Sequence, residues 1–276
     1  MFFTFNNYPI IIAHRGARSL APENTLPAAQ KAVELGADAW EIDVQLTADG
    51  VPVVIHDETL SRTSDVRKKA VFSERKPWLV HAFSLEELRT LDFGSWFAES
   101  DPFGQIDSGL LREKDLHFGK MPVLLLRDAL AFTRDRNFKI NVEIKDLSGL
   151  PGDAAVVEKV LGLVRESDMS DQVLISSFNY DYLWQIKSLY PEISTAVLTE
   201  IFRTDPLGLL RELSAEAYHP RADLIRPAQI SFLREKGFYV NIWTVNDAAA
   251  AQKFAEAGAT GIFTDFPQLL TAIFSG

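Results

Sequence analysis

The chain has 276 residues, with 28 Lys and Arg against 38 Asp and Glu, a formal net charge of −10 and no cysteine. A composition of 47% hydrophobic and 24% charged residues excludes disorder, collagen-like repeats and coiled coil, and a chain of this mass can bury a large core without staples. The missing cysteines exclude a disulfide scaffold, a thiolate nucleophile, an iron–sulfur cluster and a cysteine-ligated zinc site.

The first element is the β-branched run Pro9 to Ala13, which stops at His14-Arg15-Gly16. Leu26, Ala29, Ala32, Val33 and Leu35 then recur at helical spacing. Asn24 or Thr25 is a candidate N-cap, Pro27 is tolerated in the first turn, and Gly36 suits the position just past the helix. Two strand-like runs follow, Ala39 to Leu46 and Val51 to Ile55, joined by Thr47-Ala48-Asp49-Gly50, where Asp-Gly signals a hairpin.

From about Leu60 to Lys120 the rhythm breaks. This stretch is charged and rich in aromatics, among them Phe72, Trp78, Phe83, Phe93, Trp96, Phe97, Phe103 and Phe118. Ser84 and Glu87, three apart, read as a capping box. Disordered linkers are not this aromatic, so we expect an ordered insertion after the second strand, within a single domain spanning residues 1–276.

Strands then alternate with helices. Strands are expected at Phe138 to Ile144, Gln172 to Ser176, Ser194 to Leu198, Phe238 to Val245 and Gly261 to Thr264. Helices are expected at Ala154 to Glu166, Tyr182 to Leu189, about Leu207 to Ala215, Asp247 to Ala257 and Pro267 to Phe274, with another ending at Gly237. Such alternation implies a parallel sheet with crossover helices. About eight units in one domain favour an α/β fold closed as a (β/α)8 barrel, and no Gly-x-Gly-x-x-Gly supports a dinucleotide-binding sheet.

A barrel of this kind carries its chemistry at the C-terminal ends of its strands. The first strand ends in His14-Arg15. The second holds Glu41 and Asp43, two apart and so on one face, inside the apolar run Trp40 to Val44. The run after the hairpin ends in His56-Asp57, and the Phe138 strand closes with Glu143 and Lys145, again on one face. Strands buried on both faces do not tolerate such charges unless they are paired or bind metal. One reading is a buried Glu–Lys ion-pair network. The other is a divalent cation held by three carboxylates, Mg²⁺ or Ca²⁺ rather than zinc. Beside such a cation, His14 and His56 suit general acid–base work, with a core histidine bonded to backbone as the plain alternative for each. Arg15 and Lys145 add donors suited to phosphate. His81 and His117 are expected to be ordinary insertion residues, and His219 is left open because it can follow a barrel strand.

The ordered set His14-Arg15-Gly16, Pro22-Glu23-Asn24-Thr25, Glu41-Ile42-Asp43-Val44, His56-Asp57, Thr59-Leu60-Ser61-Arg62-Thr63, Glu143-Ile144-Lys145, Ser177-Phe178, Trp243-Thr244-Val245-Asn246 and Thr264-Asp265-Phe266-Pro267 resembles the glycerophosphodiester phosphodiesterases nearly end to end. The insertion is similar as well, through Leu85-Glu86-Glu87-Leu88 and Leu91 to Phe97. The resemblance implies a TIM barrel with Glu41, Asp43 and Glu143 as metal ligands and His14 and His56 as the catalytic pair. It also implies that Arg15 and Lys145 hold the phosphate or glycerol end, and that Phe178 and Trp243 line the substrate pocket. The implied reaction is hydrolysis of a glycerophosphodiester to sn-glycerol 3-phosphate and an alcohol. Met121 to Leu130 departs from the family's usual segment at the close of the insertion, Arg67 to Lys76 is unusually basic, and Gly237-Phe238-Tyr239 departs before the penultimate strand. All three lie outside the catalytic set and bear on which alcohol leaves.

The expected route uses a metal as template, with His14 as base toward the glycerol 2-hydroxyl and His56 as acid toward the leaving alcohol, an order the sequence leaves open; direct attack by metal-bound water competes with it. The nearest rival is a lysophospholipase D-like phosphodiesterase with the insertion as a lid. A binding protein without chemistry is disfavoured by the intact His14, His56 and carboxylates, and a secreted toxin by the absence of cysteine. The acidic balance argues against nucleic acid. No apolar run approaches the roughly 20 residues of a membrane span, and Met1 to Asn7 lack signal-peptide character. We therefore expect a cytoplasmic protein acting on a small molecule, without integral membrane association, and leave a homo-oligomer open.

Overall fold

A computed structural model of the chain describes residues 2–3, 8–112, 116 and 118–274. His117 and most of the Met1 to Asn7 segment lie outside the described residues. Strand β1 (Ile10–Ala13) leads to helix α1 (Leu26–Glu34) and strand β2 (Ala39–Leu46), which turns back on the short β3 (Pro52–Val54). After the insertion, which carries the short helices α2 (Leu85–Arg89) and α3 (Trp96–Ser100), the chain runs through α4 (Leu126–Asp135), β4 (Ile140–Ile144), α5 (Asp153–Glu166), β5 (Val173–Ser177), α6 (Tyr180–Leu189) and β6 (Ser194–Thr199). It ends with α7 (Pro206–Glu212), β7 (Ala217–Pro220), α8 (Pro227–Glu235), β8 (Tyr239–Ile242), α9 (Ala248–Glu256), β9 (Gly261–Thr264) and α10 (Pro267–Phe274).

Eight of these strands are parallel and close on themselves in the order β1, β9, β8, β7, β6, β5, β4, β2, with β2 pairing back to β1. This is the TIM barrel, with helices between strands. β3 stands outside the eight, antiparallel to β2 through Val44–Val54 and Leu46–Pro52. Successive side chains on a strand point to opposite faces, and both faces are buried here. Trp40, Ile42, Val44 and Leu46 of β2 point outward and join the core shared with the helices, together with Ile140, Val142 and Ile144 of β4. The Trp40 indole N–H donates to Thr133 Oγ1 of α4 at 2.9 Å. Inside the barrel, Ile10, Ile12, Ala39, Leu174, Ala196, Ala217 and Phe263 fill the N-terminal half with Phe2 against them. The opposite half is left to Glu41, Asp43, Asn141, Glu143 and Ser176.

The local signals are realised as expected in several places. Thr25 caps α1 by accepting from the Ala28 N–H, and the Ser84–Glu87 capping box opens α2. Asp49-Gly50 makes the β2–β3 hairpin, with Gly50 at φ +72°. Other boundaries differ. β8 is shorter than Phe238 to Val245, and α7 ends at Glu212 rather than Ala215. Strand β7 is additional, and the Met121 to Leu130 segment leads into helix α4 of the barrel.

The insertion lies between the second barrel strand and its helix α4, at the C-terminal end of the barrel. Its aromatics are ordered: Phe72, Trp78, Phe83 and Phe93 pack with Leu60, Val66, Val80, Leu88 and Leu91 onto Val53, Ile55 and Leu125. Phe72 and Phe83 meet edge to face at 5.1 Å.

Candidate active site

The polar half of the barrel opens into a cavity of about 1100 Å³. At its base, oxygen atoms of Glu41, Asp43 and Glu143 lie within 4.8 Å of one another. The register explains this convergence: Asp43 of β2 sits opposite Glu143 of β4, and Glu41 opposite Asn141. Asn141 is held in turn by donating to Ser176 Oγ of β5 at 2.9 Å.

These carboxylates are unequally supported. Arg15 N–H donates to Glu41 Oε2 at 2.8 Å, and Asn24 Nδ2 donates to Asp43 Oδ2 at 2.9 Å. Lys145 Nζ bonds Glu143 Oε1 at 2.8 Å and lies 3.6 Å from Asp43 Oδ1. The Glu–Lys pairing that the sequence suggested is therefore present, but it does not satisfy the cluster. Glu41 Oε1 and Asp43 Oδ1 are buried without a hydrogen-bond partner. Burial, then the charges of Asp43 and Glu143, push the Glu41 carboxyl well above the usual carboxylate range. Burial also raises Glu143, although Lys145 opposes it. Asp43 goes the other way, because the cations Arg15 and Lys145 outweigh its burial. Three clustered carboxylates, two of whose buried oxygens accept no hydrogen bond, suit a hard divalent cation.

His14 immediately follows β1. Its Nδ1 pairs with Asp265 Oδ1 at 2.7 Å, so Nε2 is the free nitrogen, and it lies 4.0 Å from Glu41 Oε2. Burial, then the charge of Arg15, lowers its pKa to about 4, against the raising effect of Asp265. His56 follows β3, and its Nδ1 pairs with Asp57 Oδ1 at 2.7 Å, which again leaves Nε2 free. Both histidines line the cavity. The turn between His14 and α1 needs Gly16, which has φ +81°; a Cβ there would stand 2.6 Å from Ala28 Cβ.

Arg15, Lys145, Phe178 and Trp243 also line the cavity, with the Phe178 and Trp243 rings 5.7 Å apart and edge to face. The Arg15 guanidinium is already engaged, with NH1 2.9 Å from Glu23 Oε1 and Nε 3.4 Å from Asp43 Oδ2. All nine residues selected from the sequence thus converge, Asp43 lying beneath the surface that the other eight line.

His81 does not behave as an ordinary insertion residue. It lines the cavity with Leu79 and Glu58, because the 3-10 turn Val80–Ala82 sends Val80 into the insertion core and its neighbours toward the barrel. Its position inside an apolar stretch gave no local signal of this. His219, left open, is a fully buried residue of β7 whose Nε2 pairs with Asn241 Nδ2 at 2.9 Å, beside the Phe263 ring. Asp265 and Asp57, quoted from the sequence without a role, are the carboxylates behind the two histidines. A strand-end aspartate and an aspartate next to a histidine are the signals that could have identified them.

The model of the glycerophosphoryl diester phosphodiesterase family matches residues 14–269. A glycerophosphodiester phosphodiesterase of Caldanaerobacter subterraneus subsp. tengcongensis is 32% identical over 261 residues, covering 95% of this chain and 96% of that one. A second, from Bacillus altitudinis, is 33% identical over 261 residues, covering 93% and 94%. Among solved structures, a phosphodiesterase of Oleispira antarctica in complex with its product sn-glycerol 3-phosphate superimposes with a TM-score of 0.80 at 28% identity, covering 98% of each chain.

Proposed function

The chain belongs to the glycerophosphoryl diester phosphodiesterase family, and from that premise we propose that it hydrolyses glycerophosphodiesters to sn-glycerol 3-phosphate and an alcohol by metal-dependent, two-histidine acid–base catalysis. One observation supports the reading above all: a three-carboxylate cluster, two of whose buried oxygens accept no hydrogen bond, beside two carboxylate-backed histidines. Glu41, Asp43 and Glu143 would hold a divalent cation, Mg²⁺ or Ca²⁺, which when bound supplies positive charge to the phosphate oxygens.

The residues of the chain do the proton work. His14, neutral at pH 7 with its pKa lowered to about 4, takes the proton of the glycerol 2-hydroxyl at Nε2. The 2-oxygen bonds to phosphorus, the bond from phosphorus to the leaving alcohol breaks, and His56 gives that alcohol a proton. Water then adds to the cyclic phosphate, His56 takes its proton, and His14 returns one to the 2-oxygen as the ring opens. Asp265 and Asp57 hold each imidazole with Nε2 toward the cavity, and Lys145 adds positive charge beside Glu143. Phe178 and Trp243 wall the space for the organic part of the substrate.

Hydrolysis of glycerophosphocholine in the presence of divalent cation tests this route. Cyclic glycerol phosphate trapped or released at any stage supports it; its complete absence together with inverted stereochemistry at phosphorus would refute it in favour of direct attack by water. A second reading, a lysophospholipase D-like activity, is favoured by the cavity's size and by its apolar wall of Leu79, Leu147, Leu150 and Leu198. Turnover of lysophosphatidylcholine well above that of glycerophosphocholine would select it.

A further inference from the structure

His14 and His56 are joined by a continuous chain of ion pairs. Asp57, which accepts from His56, is gripped by Arg62 through two hydrogen bonds, Nε to Oδ2 at 2.7 Å and NH2 to Oδ1 at 2.9 Å. The same guanidinium grips Glu23 through NH1 to Oε2 at 2.9 Å and NH2 to Oε1 at 2.7 Å. Glu23 also accepts from Arg15 at 2.9 Å. Arg18 Nε lies 3.9 Å from Glu23 Oε2 and 3.4 Å from Asp265 Oδ1, and Asp265 holds His14. Glu23 is buried, and neither it nor Arg62 lines the cavity.

The two histidines differ in how the fold supports them. His14 sits directly on the end of a barrel strand. His56 and Asp57 follow β3, which stands outside the barrel, and lead into the insertion. Without further support, the Asp57 carboxylate would rotate and take the imidazole with it. A guanidinium fork bound bidentately fixes both the plane and the direction of a carboxylate, which a lysine ammonium cannot do. Here one guanidinium does so for two carboxylates at once, one on the insertion side and one on the loop between β1 and α1.

We propose that Arg62 is a positioning residue for the reaction: braced on Glu23, it holds Asp57 and through it sets the orientation of the His56 imidazole relative to His14. This gives the Pro22-Glu23-Asn24-Thr25 and Leu60-Ser61-Arg62-Thr63 segments a shared role, although 39 positions separate Arg62 from Glu23. The proposal rests on the two-histidine reading above.

The test compares Arg62→Lys and Arg62→Met with the unsubstituted enzyme on glycerophosphocholine, in saturating Mg²⁺ or Ca²⁺, after thermal unfolding has shown both variants to be folded. Misplacement of a catalytic group by about 1 Å costs up to about 100-fold, so kcat should fall by about 10- to 100-fold in both variants with KM held within about twofold. Nitrogen-15 NMR of the histidine side chains provides a readout that a purely structural brace would not move. The Nδ1–H signal of His56 should shift or broaden in both variants, while that of His14 persists. In a His56→Ala background, Arg62→Met should change turnover by less than about twofold. Unchanged kcat, a rise in KM alone, an unperturbed His56 signal, or an equal loss in the His56→Ala background would each overturn the proposal. Wild-type turnover in His56→Ala alone would instead bring down the two-histidine reading, and the positioning role with it.

Discussion

Replacing Glu41 by Gln should stabilise the metal-free protein while abolishing its response to cation. Oxygens of Glu41, Asp43 and Glu143 lie within 4.8 Å of one another. At an effective dielectric of about 20, two unit charges at that distance repel by about 3.5 kcal/mol. Lys145 and the Arg15 guanidinium already offset part of this at Glu143 and Asp43, but the Arg15 contact to Glu41 is a backbone hydrogen bond. The raised Glu41 pKa fixes the sign. Its folded value lies above the unfolded one, so the stability of its protonated form is complete below about pH 4 and is lost as pH rises through the folded value. Gln mimics the protonated form, and a net gain of about 1–2 kcal/mol, or about 2–6 °C in Tm, is expected at pH 8 in chelator. Mg²⁺ or Ca²⁺ at about 100 times its Kd should add about 2.7 kcal/mol to the unsubstituted protein and little to Glu41→Gln. Scanning calorimetry of both proteins, with chelator and with cation, reads the four Tm values. A Glu41→Gln protein that is less stable in chelator and gains as much from cation as its parent would refute the reasoning.

Other substitutions probe the surrounding shell. Asp265→Asn removes the carboxylate that holds His14 Nδ1 at 2.7 Å and should lower kcat by about 10²–10⁴-fold with KM little changed, as for other histidines that lose such an anchor; steady-state kinetics on glycerophosphocholine checks it. Burial would raise Glu23, but its hydrogen bonds from Arg62 and the charges of Arg15 and Arg18 carry it down to about 2. Its stabilisation is therefore present above about pH 4.5 and should be lost as pH falls toward 2, on the order of 3 kcal/mol. Urea unfolding across that window should show a flatter acid limb for Glu23→Gln, and parallel limbs would contradict it. Gly16→Ala places a Cβ 2.6 Å from Ala28 Cβ at φ +81° and should cost about 2–4 kcal/mol by strain and overlap, measured as a drop in the urea midpoint.

Strands buried on both faces offer little alternation, so charges inside them stand out. That is why Glu41, Asp43, Glu143 and Lys145 were legible along β2 and at the end of β4, and why about eight units, the hairpin run Val51 to Ile55 counted among them, favoured closure. β7 was not legible, because Ala217-Tyr218-His219-Pro220 has no β-branched residue and ends in histidine and proline, unlike the equally short β1, β8 and β9. α4 was hidden because Met121 to Leu130 reads as the tail of the insertion. His81 escaped for a different reason. Nothing within the chain near it says which side of a 3-10 turn faces the barrel. The supports of the two histidines were the hardest to read, since His14 meets Asp265 across 251 positions and Arg62 meets Glu23 across 39. Such pairings are set by barrel closure and by how the insertion folds back, which local spacing does not encode.

The central claim is that the buried carboxylates act through a divalent cation in a phosphodiester hydrolysis. Phosphorus-31 NMR of glycerophosphocholine incubated with chelated protein, followed before and after Mg²⁺ or Ca²⁺ is added, tests it most directly. The account predicts an unchanged diester signal in chelator and conversion to sn-glycerol 3-phosphate once cation is present. Conversion at the same rate in chelator would contradict it.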